Sequence, residues 1–177
     1  MSLRLLPVTL CVACLLLVAA DAPEGWTSYP SKSGGFQIDF PEKPKEEKEV
    51  ISGVDGGGDV DQIQYLVGGA NGAYLASFQP APRLAKSDAK TMSAALDKAA
   101  ARLAATFEGR VLSAQAVQLG KAAGTEVVVD CPKIKGRIRS RMFLTNGRFY
   151  QVMLIGAPDF IATKEADHFL GSFRITK

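Results

Sequence analysis

Asn146-Gly147 stands between two apolar-rich runs, residues 137–145 and 148–156. A two-residue loop of this kind closes a type I′ hairpin, in which both loop positions take positive φ. That closure sets the register of two strands. Thr145 faces Arg148, Phe143 faces Tyr150, Arg141 faces Val152 and Arg139 faces Leu154. The other face pairs Leu144 with Phe149, Met142 with Gln151, Ser140 with Met153 and Ile138 with Ile155. Both faces are partly apolar, and Val127-Val128-Val129 repeats the signal one run earlier. A sheet covered on one side alternates cleanly between apolar and polar. The hairpin therefore predicts a sheet covered on both faces.

The rest of the chain supplies strands and two helices. Phe36-Gln37-Ile38-Asp39-Phe40 alternates with period two and stops at Pro41. Gly25 to Pro30 reads as a short aromatic segment, and residues 41–49 as a charged loop. Strands are expected near residues 48–54 and 60–67, linked by Asp55-Gly56-Gly57-Gly58-Asp59, then at 73–79. The period changes after Ser87, the expected cap of a helix over 88–107. Its apolar residues Met92, Leu96, Ala99, Leu103 and Phe107 make one stripe. Strands follow at about 110–119, 125–131, 137–145 and 148–156, then a short helix at 163–170 and a last strand at 172–175. The class is α+β, and the economical architecture is an α/β/α sandwich with a mostly antiparallel central sheet between one long and one short helix.

The first 20 residues have another character. Arg4 precedes an uncharged apolar run over residues 5–20, and Val18-Ala19-Ala20 suits cleavage before Asp21. The expectation is a signal peptide over 1–20 and a single domain over 21–177, exported to the periplasm or secreted. Two alternatives stay open: an uncleaved anchor and a lipid on Cys14. Against the anchor, the run falls short of the roughly 20 apolar residues of a spanning helix and contains Pro7. Against the lipid, the apolar run continues past Cys14. Cleavage leaves no stable membrane span. It also removes Cys11 and Cys14, so Cys131 is then alone and expected to be a buried thiol.

The net charge of +3, from 21 Lys and Arg against 18 Asp and Glu, is too mild for a nucleic-acid partner. His168 is the only histidine, and no nucleophile motif surrounds it. Metal and cofactor sites are not expected: one histidine and one remaining cysteine do not make a closed zinc site. Asp55, Asp59 and Asp61 flank three glycines, a pattern that fits no complete calcium loop. A solvated hairpin tip is the plainer reading.

One feature rises above this background. Lys133, Lys135, Arg137, Arg139 and Arg141 occupy alternate positions, so in an extended strand all five project from one face, about 6.6 Å apart. Such a stripe suits an acidic protein, an anionic polymer or an anionic lipid headgroup. A competing reading has Glu126 and Asp130 of the preceding strand neutralise it across the sheet, with arginine stems covering Tyr150, Val152 and Leu154.

Three stretches resemble the PsbP-like domains of small exported bacterial proteins. They are Trp26…Pro30…Gly35-Phe36-Gln37-Ile38-Asp39-Phe40-Pro41, the long mid-chain helix, and Arg148-Phe149-Tyr150-Gln151-Val152-Met153 with Phe169-Leu170-Gly171-Ser172-Phe173. The resemblance implies the α/β/α sandwich shared by PsbP of photosystem II and a Ran-binding nuclear import factor. It also implies a non-catalytic binding or assembly role at the envelope. No functional motif of either relative matches, so no binding residue carries over. The competing classes are a hydrolase using His168 and a purely structural or stress protein.

Overall fold

The computed structural model describes residues 22–176. The expected signal peptide, with Cys11 and Cys14, lies outside them. The elements run β1 (Thr27–Ser31), β2 (Phe36–Phe40), β3 (Lys45–Ser52), β4 (Asp59–Gly69), β5 (Gly72–Pro80), α1 (Ala89–Thr106), β6 (Arg110–Leu119), β7 (Ala122–Cys131), β8 (Gly136–Thr145), β9 (Arg148–Gly156), α2 (Lys164–Ser172) and β10 (Arg174–Ile175). A seven-stranded sheet has the order β3-β4-β5-β9-β8-β7-β6, and a three-stranded sheet has the order β1-β2-β10. Every described pairing is antiparallel. The α+β class and the two helices agree with the sequence reading.

The β8–β9 hairpin has the register that its loop dictates, from Thr145 opposite Arg148 to Ile138 opposite Ile155. Asn146 and Gly147 both take positive φ, 51° and 69°, as a type I′ turn requires.

Both faces of the large sheet are covered. On one, α1 lies chiefly over β7 and also meets β6 and β8. Its core joins Leu96, Ala100 and Ala104 to Val127, Val129, Ile138 and Met142. On the other face, α2 and the small sheet share the cover. Phe36, Ile38, Phe40, Phe169 and Phe173 pack there on Tyr65, Phe143, Tyr150 and Leu154. A sheet between two helices alone is thus too simple, because α2 has only nine residues and one short helix cannot span the face. The aromatic segment after Gly25 makes up the difference as β1, which pairs along its length with β2. Pro30 is tolerated because β1 is an edge strand.

Two other boundaries move for physical reasons. Residues 45–49 are strand rather than loop, since β4 supplies their backbone partners and water still reaches most of their charged side chains. The α1 cap is Asp88, not Ser87. Its carboxylate accepts the Thr91 N–H at 2.7 Å, which satisfies one of the free donors of the first turn and holds the carboxyl below its ordinary range.

Candidate functional site

The cationic stripe is broken at its start. Pro132–Ile134 forms a 3-10 turn and Lys135 takes a left-handed conformation, φ 49°. Pro132 lacks the N–H that a continuing strand needs, so β8 begins only at Gly136. Lys133 and Lys135 therefore do not share a strand face with the arginines, and the expected row of five is a row of three. Lys133 pairs with Glu108 instead.

Arg137, Arg139 and Arg141 do project together, toward α2, and each meets a carboxylate. Glu126 takes Arg139 Nε at 2.9 Å and Arg141 Nε at 2.5 Å. Arg139 also reaches Asp167 at 2.6 Å, and Arg137 lies 3.5 Å from Asp130. Two further donors go to backbone: Arg141 donates to the Leu170 carbonyl at 3.1 Å and Arg139 to that of Ile161 at 3.4 Å. Side-chain exposure falls from 41% at Arg137 to 18% at Arg139, and Glu126 keeps 7%. Burial pushes the Glu126 carboxyl up, but hydrogen bonds from Arg141 and Arg139, together with their charges, outweigh it and hold it below the usual carboxylate range. Three cations against three anions make this cluster a stitch between β7, β8 and α2.

His168 and the aspartate hairpin are likewise committed. His168 Nε2 lies 2.9 Å from Asp39 Oδ2, and its ring stands edge-on to Trp26 at 5.3 Å. Among the described residues no hydroxyl or thiol is hydrogen-bonded to the imidazole. The Asp55 carboxylate accepts N–H groups of Gly57 and Arg83, while Asp61 pairs with Lys48. No group of three or more His, Cys, Asp or Glu side chains among the described residues is arranged to hold a metal ion. Cys131 is buried, and burial, then the charge of Asp130, raises its thiol pKa.

The concave surface lies elsewhere, beside α1. The buried contacts of this helix are Ala95, Leu96, Ala100 and Ala104 rather than the full Met/Leu/Phe stripe. Small side chains let the helix axis sit close over β7. Ala99, Leu103 and Phe107 then overhang the uncovered half of the same sheet face. Beneath them runs a groove of about 360 Å³. Its floor is Leu75, Met142, Phe149 and Met153, with Gln151 between the last two on β9, and Gln62 and Gln64 line it from β4. A second hollow of about 450 Å³ continues the groove past Val54. Arg102 lines both hollows and spans the trough to donate to the Ser52 carbonyl at 2.8 Å.

Three amides of the groove have partners, Gln64 among them, whose Nε2 donates to the Glu47 carboxylate at 3.4 Å. Gln79 accepts the Val54 N–H at 3.2 Å, and Gln151 donates to the Ser140 hydroxyl at 3.2 Å. The arrangement offers dispersion contacts from thioether and aromatic groups, with side-chain amides, the Glu49 carboxylate and the Arg102 guanidinium as its polar lining. The sequence signal for it was the pair Gln62 and Gln64 at alternate positions of β4, with Gln79 on β5 and Gln151 on β9. That set became legible only once α1 was seen to leave these strands uncovered.

No family model and no curated protein matches the chain. Among solved structures, the solution structure of cyanobacterial PsbP (CyanoP) from Synechocystis sp. PCC 6803 is similar with a TM-score of 0.58 at 11% identity, covering 88% of this chain and 95% of that one. A Pseudomonas aeruginosa protein of unknown function, described as a putative regulator, aligns at 8% identity over 80% of this chain and 90% of its own, with a TM-score of 0.39. The first of these shows that the chain carries a PsbP-like fold.

Proposed function

We propose that the protein is an exported, non-catalytic binding or assembly-accessory domain of the periplasm or cell envelope, and that it binds in the α1 groove. The α/β/α sandwich of the PsbP-like family is part of the same proposal. The observation that carries it is the groove of about 360 Å³ beside α1, where Leu75 and the amides of Gln62, Gln64 and Gln151 keep partial exposure beside the buried Met142, Phe149 and Met153. A segment of extended peptide fits this chemistry. Its apolar side chains would meet Leu75, Phe149 and Met153, and its backbone amides would meet Gln62 and Gln64. The groove holds no paired acid and base, so it suits recognition better than turnover. The arginines of β8 are less suited to an anionic partner, because Glu126, Asp130 and Asp167 already neutralise them.

The test is a pull-down from envelope extract with wild type, Gln64→Arg and Arg137→Glu, each first shown to be folded. The proposal expects a partner kept by wild type and Arg137→Glu and lost by Gln64→Arg. Loss on Arg137→Glu alone, weakening with salt, returns the site to the basic strand. A turnover of any envelope substrate abolished by His168→Ala restores the hydrolase. Absence of any partner leaves a structural protein. Cell fractionation checks export separately, with the mature chain expected outside the cytoplasm.

A further inference from the structure

The large sheet ends in two edge strands of opposite character. Edge β3 begins Lys45-Glu46-Glu47-Lys48-Glu49, five consecutive charges. Such charges block edge-to-edge pairing, because a second strand must bury them. Edge β6 is ten residues long, and after Arg110 it has neither charge nor proline: Val111-Leu112-Ser113-Ala114-Gln115-Ala116-Val117-Gln118-Leu119. Residues 110–116 and Gln118 are exposed, among them Val111 at 39% and Leu112 at 43%. No described strand pairs with its outer side. The only guard is a break in register between Val111 and Ser113. Beyond it, residues 113–119 run regularly against β7 and present unpaired backbone groups at every second position.

We propose that β6 is a homodimer interface, at which two copies pair antiparallel about a two-fold axis at Ala116. This register places Ala116 opposite its own copy, Ala114 opposite Gln118, Gln115 opposite Val117 and Ser113 opposite Leu119. Residues 113–119 contain no charge, so none of the seven pairs sets like charges against each other. Alanine at the axis allows close backbone approach. The irregular end at Leu112 falls outside the seven pairs. A second copy is favoured over an open chain of molecules because the other edge, β3, is charged. The contact is isologous and closes at two copies.

Sedimentation equilibrium of the purified protein from micromolar to near-millimolar concentration tests this. Wild type is expected to dimerise, and Ala116→Lys to weaken the dimer roughly tenfold or more, because it sets two lysines against each other at the axis. Lys48→Glu, on the opposite edge, is expected to leave the dimer unchanged. Ala114 is exposed and outside both cores, so Ala114→Lys serves if Ala116→Lys does not fold. Amide exchange of wild type gives a further readout: protection in residues 113–119 should rise with concentration. A wild type that stays monomeric throughout the range overturns the proposal. So does a dimer that survives both lysine substitutions, or one whose formation leaves β6 exchange unchanged.

Discussion

Glu126 stands directly opposite Arg141 on neighbouring strands, and its carboxylate is shared between Arg141 and Arg139. Removing a carboxylate from such an arrangement leaves two partly buried guanidinium groups facing each other. Glu126→Ala is expected to destabilise the fold by about 3 kcal/mol, the lower end for breaking a buried pair, because both arginines keep some contact with water. Urea denaturation measures it. A loss below the level of an ordinary surface pair would show that the cluster is not a stitch.

The same carboxylate makes part of the stability acid-sensitive. Its folded pKa is lowered from the ordinary value of 4.5. A depressed carboxylate stabilises the fold fully above its unfolded pKa, and that contribution is lost as the pH falls through the folded value. The stability gap between wild type and Glu126→Gln is therefore expected to be constant from pH 7 to about 5 and to narrow below 4.5. Urea midpoints of both proteins at pH 7, 5, 4 and 3 check the sign; a gap that widens in acid contradicts it.

Gly124 lies on β7 where β8 leaves no room. A Cβ there would come within 2.4 Å of the Phe143 ring and 2.5 Å of the Met142 carbonyl oxygen. The carbonyl belongs to a paired central strand, and Phe143 is stacked on Phe173. Neither yields easily, so Gly124→Ala should cost about 2 kcal/mol as an overpacked site. For a domain of this size that lowers Tm by roughly 4–8 °C, which calorimetry would record. An unchanged Tm would mean that the β7–β8 contact is looser than its geometry implies.

His168 ties α2 to β2 through Asp39. In His168→Ala the Asp39 carboxylate loses this partner and Trp26 loses an edge contact. The expected loss is about 1–2 kcal/mol, read from the urea midpoint. His168→Gln, which keeps a donor of similar reach, should recover part of it. Equal loss in both variants would assign the effect to ring packing rather than to the hydrogen bond.

Local rules determined much of this protein. Asn146-Gly147 was enough to set the β8–β9 register residue by residue, because a two-residue loop leaves no freedom. The period of 3.6 located α1 to within a residue, and apolar residues on both hairpin faces called for cover on both sides. The pairing of Glu126 and Asp130 with the arginines was legible from strand alternation. Tertiary structure decided the rest. Whether residues 45–49 form a strand depends on β4, a partner that no local window contains. Pro132 and Lys135 turn the chain before β8, so alternation in sequence did not become alternation in space for Lys133 and Lys135. The groove exists because α1 rests on its alanines and covers only half of one sheet face. That offset comes from helix-to-sheet packing, and the helical period alone carries no information about it.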